Sequence, residues 1–305
     1  MTSSARIIVF GYHEVGYCCL EWLLSHGVSV AAVFTHEDDP RERIWFRSVA
    51  GLAGDAGVPV LTPSSLKDAA IVARVSEWRP DVLYSFYYRN MIAREILAIP
   101  RRGAFNMHGS LLPRYRGRVP INWAIIHGEH ETGATLHHMV ARADAGDIVD
   151  QEACPIDPDD TARDVFMKVT KAAVTVLART HDAIVAGCAP RRAQDESQAT
   201  TFGGRGPEDG RIDWDRDAVS IYNFVRALTE PYPGAFSVVR GARFRIWWGR
   251  PVVLTAKDRK PPGCVISVEP LIIATRDGGF RVERFEWVEP NAPGGRDFII
   301  GERVG

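Results

Sequence analysis

An asparagine and a histidine two positions apart, Asn106 and His108, are the residues of this sequence best suited to chemistry. Residues 104–108 read as a short apolar strand that runs into a loop rich in glycine, serine and proline. Because side chains alternate along a strand, the amide and the imidazole project from the same face. The amide can donate to an oxygen on which negative charge develops, and the imidazole can accept a proton. Transfer of an acyl group to an amine needs both abilities.

The residues around this pair resemble a known family. Asn106 and His108 are followed at 110–117 by Ser-Leu-Leu-Pro-Arg-Tyr-Arg-Gly, a pattern similar to the signature of the 10-formyltetrahydrofolate-dependent formyltransferases. The resemblance runs from about Ile7 to about Ala274. It implies a catalytic trio of Asn106, His108 and Asp144, in which the carboxylate accepts a hydrogen bond from the imidazole and fixes its tautomer. The alternative for Asp144 is an Asx-turn that only shapes its loop.

Three runs indicate the acceptor branch of the family, which formylates amino-sugar nucleotides. They lie at 85–89, 115–123 and 142–146, and they resemble the enzymes that act on UDP-4-amino-4-deoxy-L-arabinose in lipid A modification. The resemblance implies that sugar nucleotide as the acceptor and a cytoplasmic reaction linked to polymyxin resistance. It also implies an NAD-dependent decarboxylase domain, fused or separate, as a partner.

Methionyl-tRNA is the main alternative acceptor, followed by a different amino-sugar nucleotide. The 305 residues carry a net charge of −1, which provides no electrostatic footprint for a polyanion, so we expect no nucleic-acid partner. Residues 241–259 nevertheless hold a basic group that keeps this alternative open: Arg243, Arg245, Arg250, Lys257 and Arg259. A non-catalytic binding module is a third alternative, disfavoured by the intact trio.

The resemblance implies further binding residues, and the sequence excludes other cofactors. The loop after the first strand lacks Gly-x-Gly-x-x-Gly, so no NAD is expected in this chain. Two residues of that loop, Tyr12 and His13, are candidate acceptor contacts, and Arg116 could bind phosphate bidentately. The folate residues, many of them acting through the main chain, are Asn90, Met91, Ile92, Arg118, Val140, Ala141, Arg142, Ala143 and Asp144.

Cysteine usage and hydropathy point to a cytoplasmic protein without a metal. The odd number of cysteines, five, and the absence of Cys-x-x-Cys argue against a disulfide framework or a zinc site. The acidic run at 36–39 reads as a solvated loop rather than a ligand set. No signal peptide and no apolar run of about 20 residues is present, so we expect no membrane insertion.

Alternating strand and helix patterns predict an α/β protein with two domains. Residues 1–190 are expected to form a Rossmann-like, mainly parallel sheet domain, with strands at 7–10, 28–35, 82–86, 104–108, 134–140 and 147–153. Its helices are expected at 15–25, 41–56, 69–78, 92–97, 120–127 and 160–186. A polar linker is predicted at 191–208. Residues 209–305 are expected to form a small open β-barrel of the OB type, with one helix, five short strands and a loosely structured tail at 290–305.

Overall fold

The computed structural model describes residues 5–40, 42–288 and 297–305. Two compact units are present. The first consists of Met1–Pro120, Glu131–Pro155 and Met167–Gly203, and the second of Ile121–His130, Ile156–Phe166 and Gly204–Gly305. Each unit is assembled from three separate stretches of the chain. The units therefore differ from the predicted division into two continuous domains, 1–190 and 209–305. The predicted linker is likewise divided, since its residues up to Gly203 belong to the first unit.

The first unit is built on a twisted sheet whose central strands are buried on both faces. Its strands are β1 (Ile7–Gly11), β2 (Val30–Phe34), β3 (Val60–Leu61), β4 (Val82–Phe86), β5 (Ala104–His108), β6 (Arg116–Gly117), β7 (Glu131–His138), β8 (Ile148–Pro155) and β9 (Thr201–Phe202). Within the described residues the main sheet has the order β3-β2-β1-β4-β5-β7-β8, and β6 pairs separately with β9. The pairs from β3 to β5 are parallel, while β7 and β8 are antiparallel. Parallel strands buried on both faces explain the continuous apolar runs of β1 and β4.

The helices up to residue 185 are α1 (His13–Ser25), α2 (Val49–Asp55), α3 (Ala69–Glu77), α4 (Arg94–Leu97), α5 (Pro120–Ile126) and α6 (Ala162–Val185). The helix predicted at 41–56 is wrong at 42–48, which are not helical, and residue 41 lies outside the described residues. The Arg47 amide donates to the Glu14 carboxylate, and Ser48 then caps α2 by accepting from the Gly51 N–H. In the described ranges, no helix is both long and apolar enough to cross a membrane.

The second unit carries an antiparallel sheet and one amphipathic helix packed on it. From Gly204 onward its elements are α7 (Ala218–Leu228), β10 (Ala235–Val239), β11 (Ala242–Val252), β12 (Val265–Val268), β13 (Leu271–Ala274) and β14 (Gly279–Trp287). The described strands follow the order β10-β11-β14-β13-β12. Helix α7 contributes Ile221 and Val225 to a core that also contains Phe244, Ile246 and Phe280. The predicted fold class is confirmed: a mainly parallel Rossmann-like sheet is followed by an antiparallel half-barrel.

The segment 301–305 is ordered against this half-barrel. The Val265 N–H donates to Glu302 and the Gly301 N–H to Val265, which joins the segment to β12. The Gly305 N–H donates to the Val238 carbonyl, which joins it to β10. The prediction of a loose tail is therefore wrong for this segment, because its backbone groups complete the two outer strands. Residues 290–296 of the predicted tail lie outside the described residues.

Candidate active site

Strand β5 brings the two predicted side chains together on one face. It spans the predicted residues 104–108 and pairs with β4 in parallel and with β7 antiparallel. Asn106 lies opposite His137 of β7, and His108 lies opposite Thr135. His108 is only 6% exposed, so its ring is held in a largely dry environment close to the carboxyl end of the strand.

A single oxygen of Asp144 collects three nitrogen atoms. Asp144 Oδ1 lies 3.5 Å from His108 Nδ1, 3.5 Å from His137 Nε2 and 3.4 Å from Asn106 Nδ2. Its second oxygen, Oδ2, accepts from the Gly117 N–H at 2.9 Å. Burial by itself would raise the pKa of Asp144, but the neighbouring His108, His137 and the Gly117 amide hold it well below its usual range. Asp144 is therefore a buried carboxylate that stays ionised across the physiological pH range.

The partners of His108 define which ring nitrogen is available for proton transfer. Nε2 lies 2.8 Å from the Tyr115 carbonyl oxygen, which can only accept, so Nε2 carries a hydrogen. In a neutral ring Nδ1 then holds the lone pair, and it faces Asp144. Nδ1 is thus the nitrogen able to accept a proton, and Asp144 Oδ1 lies 3.5 Å from it. The Tyr115 carbonyl, rather than Asp144 as the resemblance implied, therefore fixes the tautomer of His108.

His137 is a functional candidate that the sequence analysis missed. Its Nδ1 donates to the His138 carbonyl at 2.9 Å, which leaves Nε2 to accept from Asn106 Nδ2 at 3.1 Å. The ring therefore holds the Asn106 amide with its nitrogen toward the cluster. A signal was present, because strand alternation in the predicted strand 134–140 puts His137 and Thr135 on one face. Which strand lies next to β5, and in what register, is not visible in that local pattern.

Small residues allow the backbone segments of the site to approach closely. A Cβ at Gly146 would lie 1.8 Å from the His138 carbonyl oxygen, and one at Gly109 would lie 1.8 Å from Tyr87 Oη. Only glycine fits at either position without movement of the neighbour. The loop after His108 is further fixed by Thr135, whose hydroxyl donates to the Ser110 carbonyl at 2.6 Å.

The residues predicted to bind folate form a mostly exposed set. Ile92 is buried, and it packs in the same core cluster as Met139, the residue before Val140. The two candidate folate-binding loops, 90–92 and 140–144, are therefore anchored in the same hydrophobic core cluster. Met91 is 68% exposed and Val140 46% exposed, so apolar surface is available beside exposed main chain, as a planar heterocycle requires. The other exposed members are Asn90, Arg118, Ala141, Arg142 and Ala143, while Asp144 belongs to the cluster described above.

Tyr12 and His13 lie at the same edge of the sheet as Asn106, in an aromatic cluster. The Tyr12 N–H donates to the Phe86 carbonyl at the end of β4, and its hydroxyl donates to Asp38 at 2.9 Å. Burial and the Asp38 contact raise the pKa of Tyr12 to about 12. His13 stacks on Phe46 with ring centroids 3.9 Å apart. The cluster offers aromatic surface, and its role in acceptor binding stays a prediction.

Arg116 is not placed as a phosphate ligand. Its side chain is 1% exposed, and four of its five N–H groups donate to the Gln194 amide oxygen and to both oxygens of the Glu196 carboxylate. The expectation fails because the guanidinium is buried and already paired with a carboxylate. Arg118, two residues further on, is exposed and is the better placed of the two cations.

A search of the described ranges finds no group of three or more His, Cys, Asp or Glu side chains arranged to hold a metal ion.

Comparisons with known proteins identify related families and folds. The formyl transferase family model matches residues 6–180, and the model for the formyl transferase C-terminal domain matches residues 206–303. An N-formyltransferase from Helicobacter canadensis, solved with folinic acid and dTDP-3-aminofucose, aligns with a TM-score of 0.70 at 20% identity, covering 92% of this chain and 100% of that one.

Two further sugar N-formyltransferases show the same architecture. A sugar 3N-formyl transferase solved in the presence of dTDP and 5-N-formyl-THF has a TM-score of 0.69 at 19% identity, over 94% of this chain and 99% of its own. An enzyme from a Shewanella species has a TM-score of 0.66 at 17% identity, over 82% and 99%. Likeness at these identities establishes a shared fold.

Proposed function

This chain belongs to the formyl transferase family and is an N-formyltransferase, and we propose that it moves the formyl group of 10-formyltetrahydrofolate to the amine of an amino-sugar nucleotide. The observation that carries the proposal is the convergence of Asn106, His108 and His137 on one oxygen of Asp144. It combines an amide donor, an imidazole with a defined basic nitrogen and a fixed carboxylate, which are the parts that acyl transfer to an amine needs.

Each residue of the trio has a distinct role in the proposed reaction. The folate supplies the formyl group. Asn106 donates to the formyl oxygen, as negative charge develops there, the amide hydrogen that in this structure makes the longer, 3.4 Å contact with Asp144 Oδ1. A contact of this kind is typically worth about 3–4 kcal/mol. The amine nitrogen bonds to the formyl carbon while His108 takes the amine proton at Nδ1, with Asp144 stabilising the ring as it carries that proton. The bond from the formyl carbon to the folate nitrogen then breaks, His108 returns the proton to that nitrogen, and tetrahydrofolate leaves. Proton transfer of this kind typically contributes about 10²–10⁴-fold to the rate.

Co-substrate binding is assigned to the two loops rooted in one core cluster. We place the ring system of the folate against Met91 and Val140, with main-chain groups of 90–92 and 140–144 as its hydrogen-bonding partners. Folinic acid in the Helicobacter canadensis relative supports this class of ligand. The exposed apolar surface in this structure fits a planar heterocycle.

A sugar nucleotide is favoured over tRNA because the basic residues of 241–259 are largely paired. A tRNA-binding face requires cations that are available to many phosphates. In this structure three of the five basic residues instead form ion pairs with carboxylates, namely Arg243 with Glu208, Arg245 with Glu286 and Arg250 with Asp159. A nucleoside diphosphate needs far fewer cations, and the exposed Arg118 is the candidate for that contact.

The identity of the sugar is proposed from the motif runs. UDP-4-amino-4-deoxy-L-arabinose is the preferred acceptor because the runs at 85–89, 115–123 and 142–146 resemble enzymes that use it. A role in lipid A modification and polymyxin resistance, a cytoplasmic location and a decarboxylase partner belong to the same proposal. The dTDP-sugar in one relative makes a dTDP-linked amine the first alternative.

A parallel acceptor assay tests the proposal. The enzyme is given 10-formyltetrahydrofolate with UDP-4-amino-4-deoxy-L-arabinose, a dTDP-linked amino sugar or charged initiator tRNA, and formylated product is quantified. We expect rapid formylation of one sugar nucleotide and none of the tRNA. Formylation of the tRNA alone would overturn the acceptor class. Retention of near-normal turnover by His108→Ala would overturn the mechanism.

A further inference from the structure

The segment 194–202, which the sequence analysis assigned to a linker, contacts the main chain of the Asp144 loop. Gln194 Nε2 donates to the Asp144 carbonyl oxygen at 2.8 Å and to the Gly146 carbonyl oxygen at 2.7 Å. A single side chain therefore holds two backbone positions of this loop. Asp144 itself has a φ of +53°, an uncommon conformation for a residue with a side chain, and such a backbone persists only when its surroundings hold it.

Gln194 is in turn held by a buried charge. Its Oε1 accepts from Arg116 Nε at 3.1 Å and from Arg116 Nη2 at 2.7 Å. These two bonds fix the orientation of the amide, so its NH₂ group must point toward the loop. Glu196 binds the other side of the same guanidinium, and it also accepts from Arg142 within the loop at 3.1 Å. The buried Arg116 thus fixes the orientation of the Gln194 and Glu196 side chains in this segment.

The same segment also supports His108, through Tyr115. The Tyr115 carbonyl accepts the hydrogen of His108 Nε2. The Tyr115 N–H donates to Thr200 Oγ1 at 2.8 Å, and the Tyr115 ring stacks on Phe202 with centroids 5.2 Å apart. The conformation of Tyr115 is also unusual, with a φ of +58°. The segment therefore holds the backbone position that sets the tautomer of His108.

A third contact reaches the other oxygen of Asp144. Strand β9 pairs in parallel with β6, and Gly117 of β6 donates its N–H to Asp144 Oδ2. A Cβ at Gly117 would lie 2.2 Å from the Phe202 carbonyl oxygen, so the two backbones are in close contact. The segment is therefore bonded to the Asp144 carbonyl oxygen through Gln194, and through Phe202 it contacts the Gly117 backbone that donates to the Asp144 carboxylate.

We propose that segment 194–202 is a clasp that positions the catalytic carboxylate and imidazole, with Gln194 as its principal positioning residue. The clasp consists of Gln194, Glu196, Thr200 and Phe202, and none of these side chains contacts the reacting atoms. Gln194 acts through Asp144, and Thr200 acts through Tyr115 on His108. The proposal rests on the proposed function, since it assigns a positioning role for that same reaction.

The first test compares two glutamines of the same segment. Gln194→Met keeps length and removes all four hydrogen bonds, whereas Gln198→Met removes only a surface bond to Asp195. We expect Gln194→Met to lower kcat by about 10–100-fold, because small misplacements of catalytic groups have effects of this size. KM for the acceptor should change little, and Gln198→Met should resemble the wild type. Equal kcat values for the two variants would overturn the proposal.

A second variant covers the case in which Gln194→Met does not fold. Gln194→Glu preserves the acceptor for Arg116 but cannot donate to the two loop carbonyls, so it isolates the contact that matters. The expected result is again a fall in kcat with little change in the acceptor KM, in a protein that still folds because the new carboxylate pairs with the Arg116 guanidinium. Wild-type kcat in Gln194→Glu would overturn the role of these two bonds.

A double-mutant cycle with Asp144→Asn separates positioning from general structural damage. If Gln194 acts through Asp144, Gln194→Met should lower kcat by less than about twofold in the Asp144→Asn background, because coupled residues are not additive. An equal loss in both backgrounds would show that Gln194 acts elsewhere. Near-normal turnover of Asp144→Asn alone would instead overturn the proposed function. Loss of activity in Asp144→Asn together with an unaffected Gln194→Met would reject only the clasp.

Discussion

The pair of substitutions Asn106→Ala and Asn106→Asp tests the central cluster most directly. Asn106→Ala removes the amide donor and leaves Asp144 with its other partners. Asn106→Asp has nearly the same shape but replaces the donor by a carboxylate. The Asn106 nitrogen lies 3.4 Å from Asp144 Oδ1, so the new charge would face an oxygen that is already ionised.

The two variants should differ in stability more than in rate. Loss of an oxyanion donor costs about 3–4 kcal/mol in the transition state, so both should lose roughly 10²–10³-fold in kcat. Two unit charges at the 3.4 Å separation repel by about 5 kcal/mol at an effective dielectric constant of about 20. This is an upper bound, because Asn106 is half-buried and His108 and His137 offset part of the charge. Asn106→Asp should therefore unfold more easily than Asn106→Ala at neutral pH.

The assays are single-turnover formyl transfer and urea unfolding at pH 7. Asn90→Asp makes the same chemical change at an exposed position and should leave the unfolding free energy almost unchanged. A kcat for Asn106→Ala within tenfold of the wild type would refute the donor role. Equal stability of Asn106→Asp and Asn106→Ala would refute the electrostatic contact with Asp144.

Three further outcomes follow from the geometry. Gly146→Ala should abolish turnover, because its Cβ would lie 1.8 Å from a carbonyl oxygen. The control Gly54→Ala, whose Cβ meets nothing within 4 Å, should keep full activity, and equal activities of the two variants would contradict the close approach at Gly146. The acceptor KM should vary little between low and moderate salt, and bulk tRNA should not compete; a steep salt dependence would instead indicate many phosphate contacts. Burial lowers the pKa of His13 to about 3 and of His36 to about 4, so both stay neutral in the folded state while unfolded histidines protonate below about pH 6.5. The unfolding free energy measured in urea should therefore be highest above about pH 6.5 and should fall as pH falls toward about 4. The fall is at most about 1.4 kcal/mol per pH unit per histidine, and less because both rings are partly exposed. His36→Phe should reduce that slope.

Local sequence patterns were sufficient for the strand that carries Asn106 and His108. Alternation along 104–108 placed both side chains on one face, and β5 has those bounds. The Asp144 loop was identified by resemblance, and the structure brings its carboxylate to the pair. His137 was missed because its proximity depends on β7 being the neighbour of β5, and strand order is a non-local property.

Arg116 and the 194–202 segment show a second reason for failure. A polar run that contains glycine and proline has the composition typical of a linker. An arginine within a motif is a residue type typical of a phosphate ligand. In the fold the two are partners in one contact, in which Arg116 binds Gln194 and Glu196, 78 and 80 positions further along the chain. Composition describes what a residue can bind, whereas only the folded backbone determines which partner reaches it.

The segment 301–305 has a consequence for self-association of the protein. An outer strand with unpaired N–H and C=O groups is a template on which another chain can add. Here the segment occupies backbone groups on both outer strands of the second unit, at Val265 and at Val238. Displacing it would unpair the backbone groups of Val265 on one outer strand and the Val238 carbonyl on the other. The segment thus covers part of each outer edge, and covered edges are less open to pairing with the edge strand of another molecule.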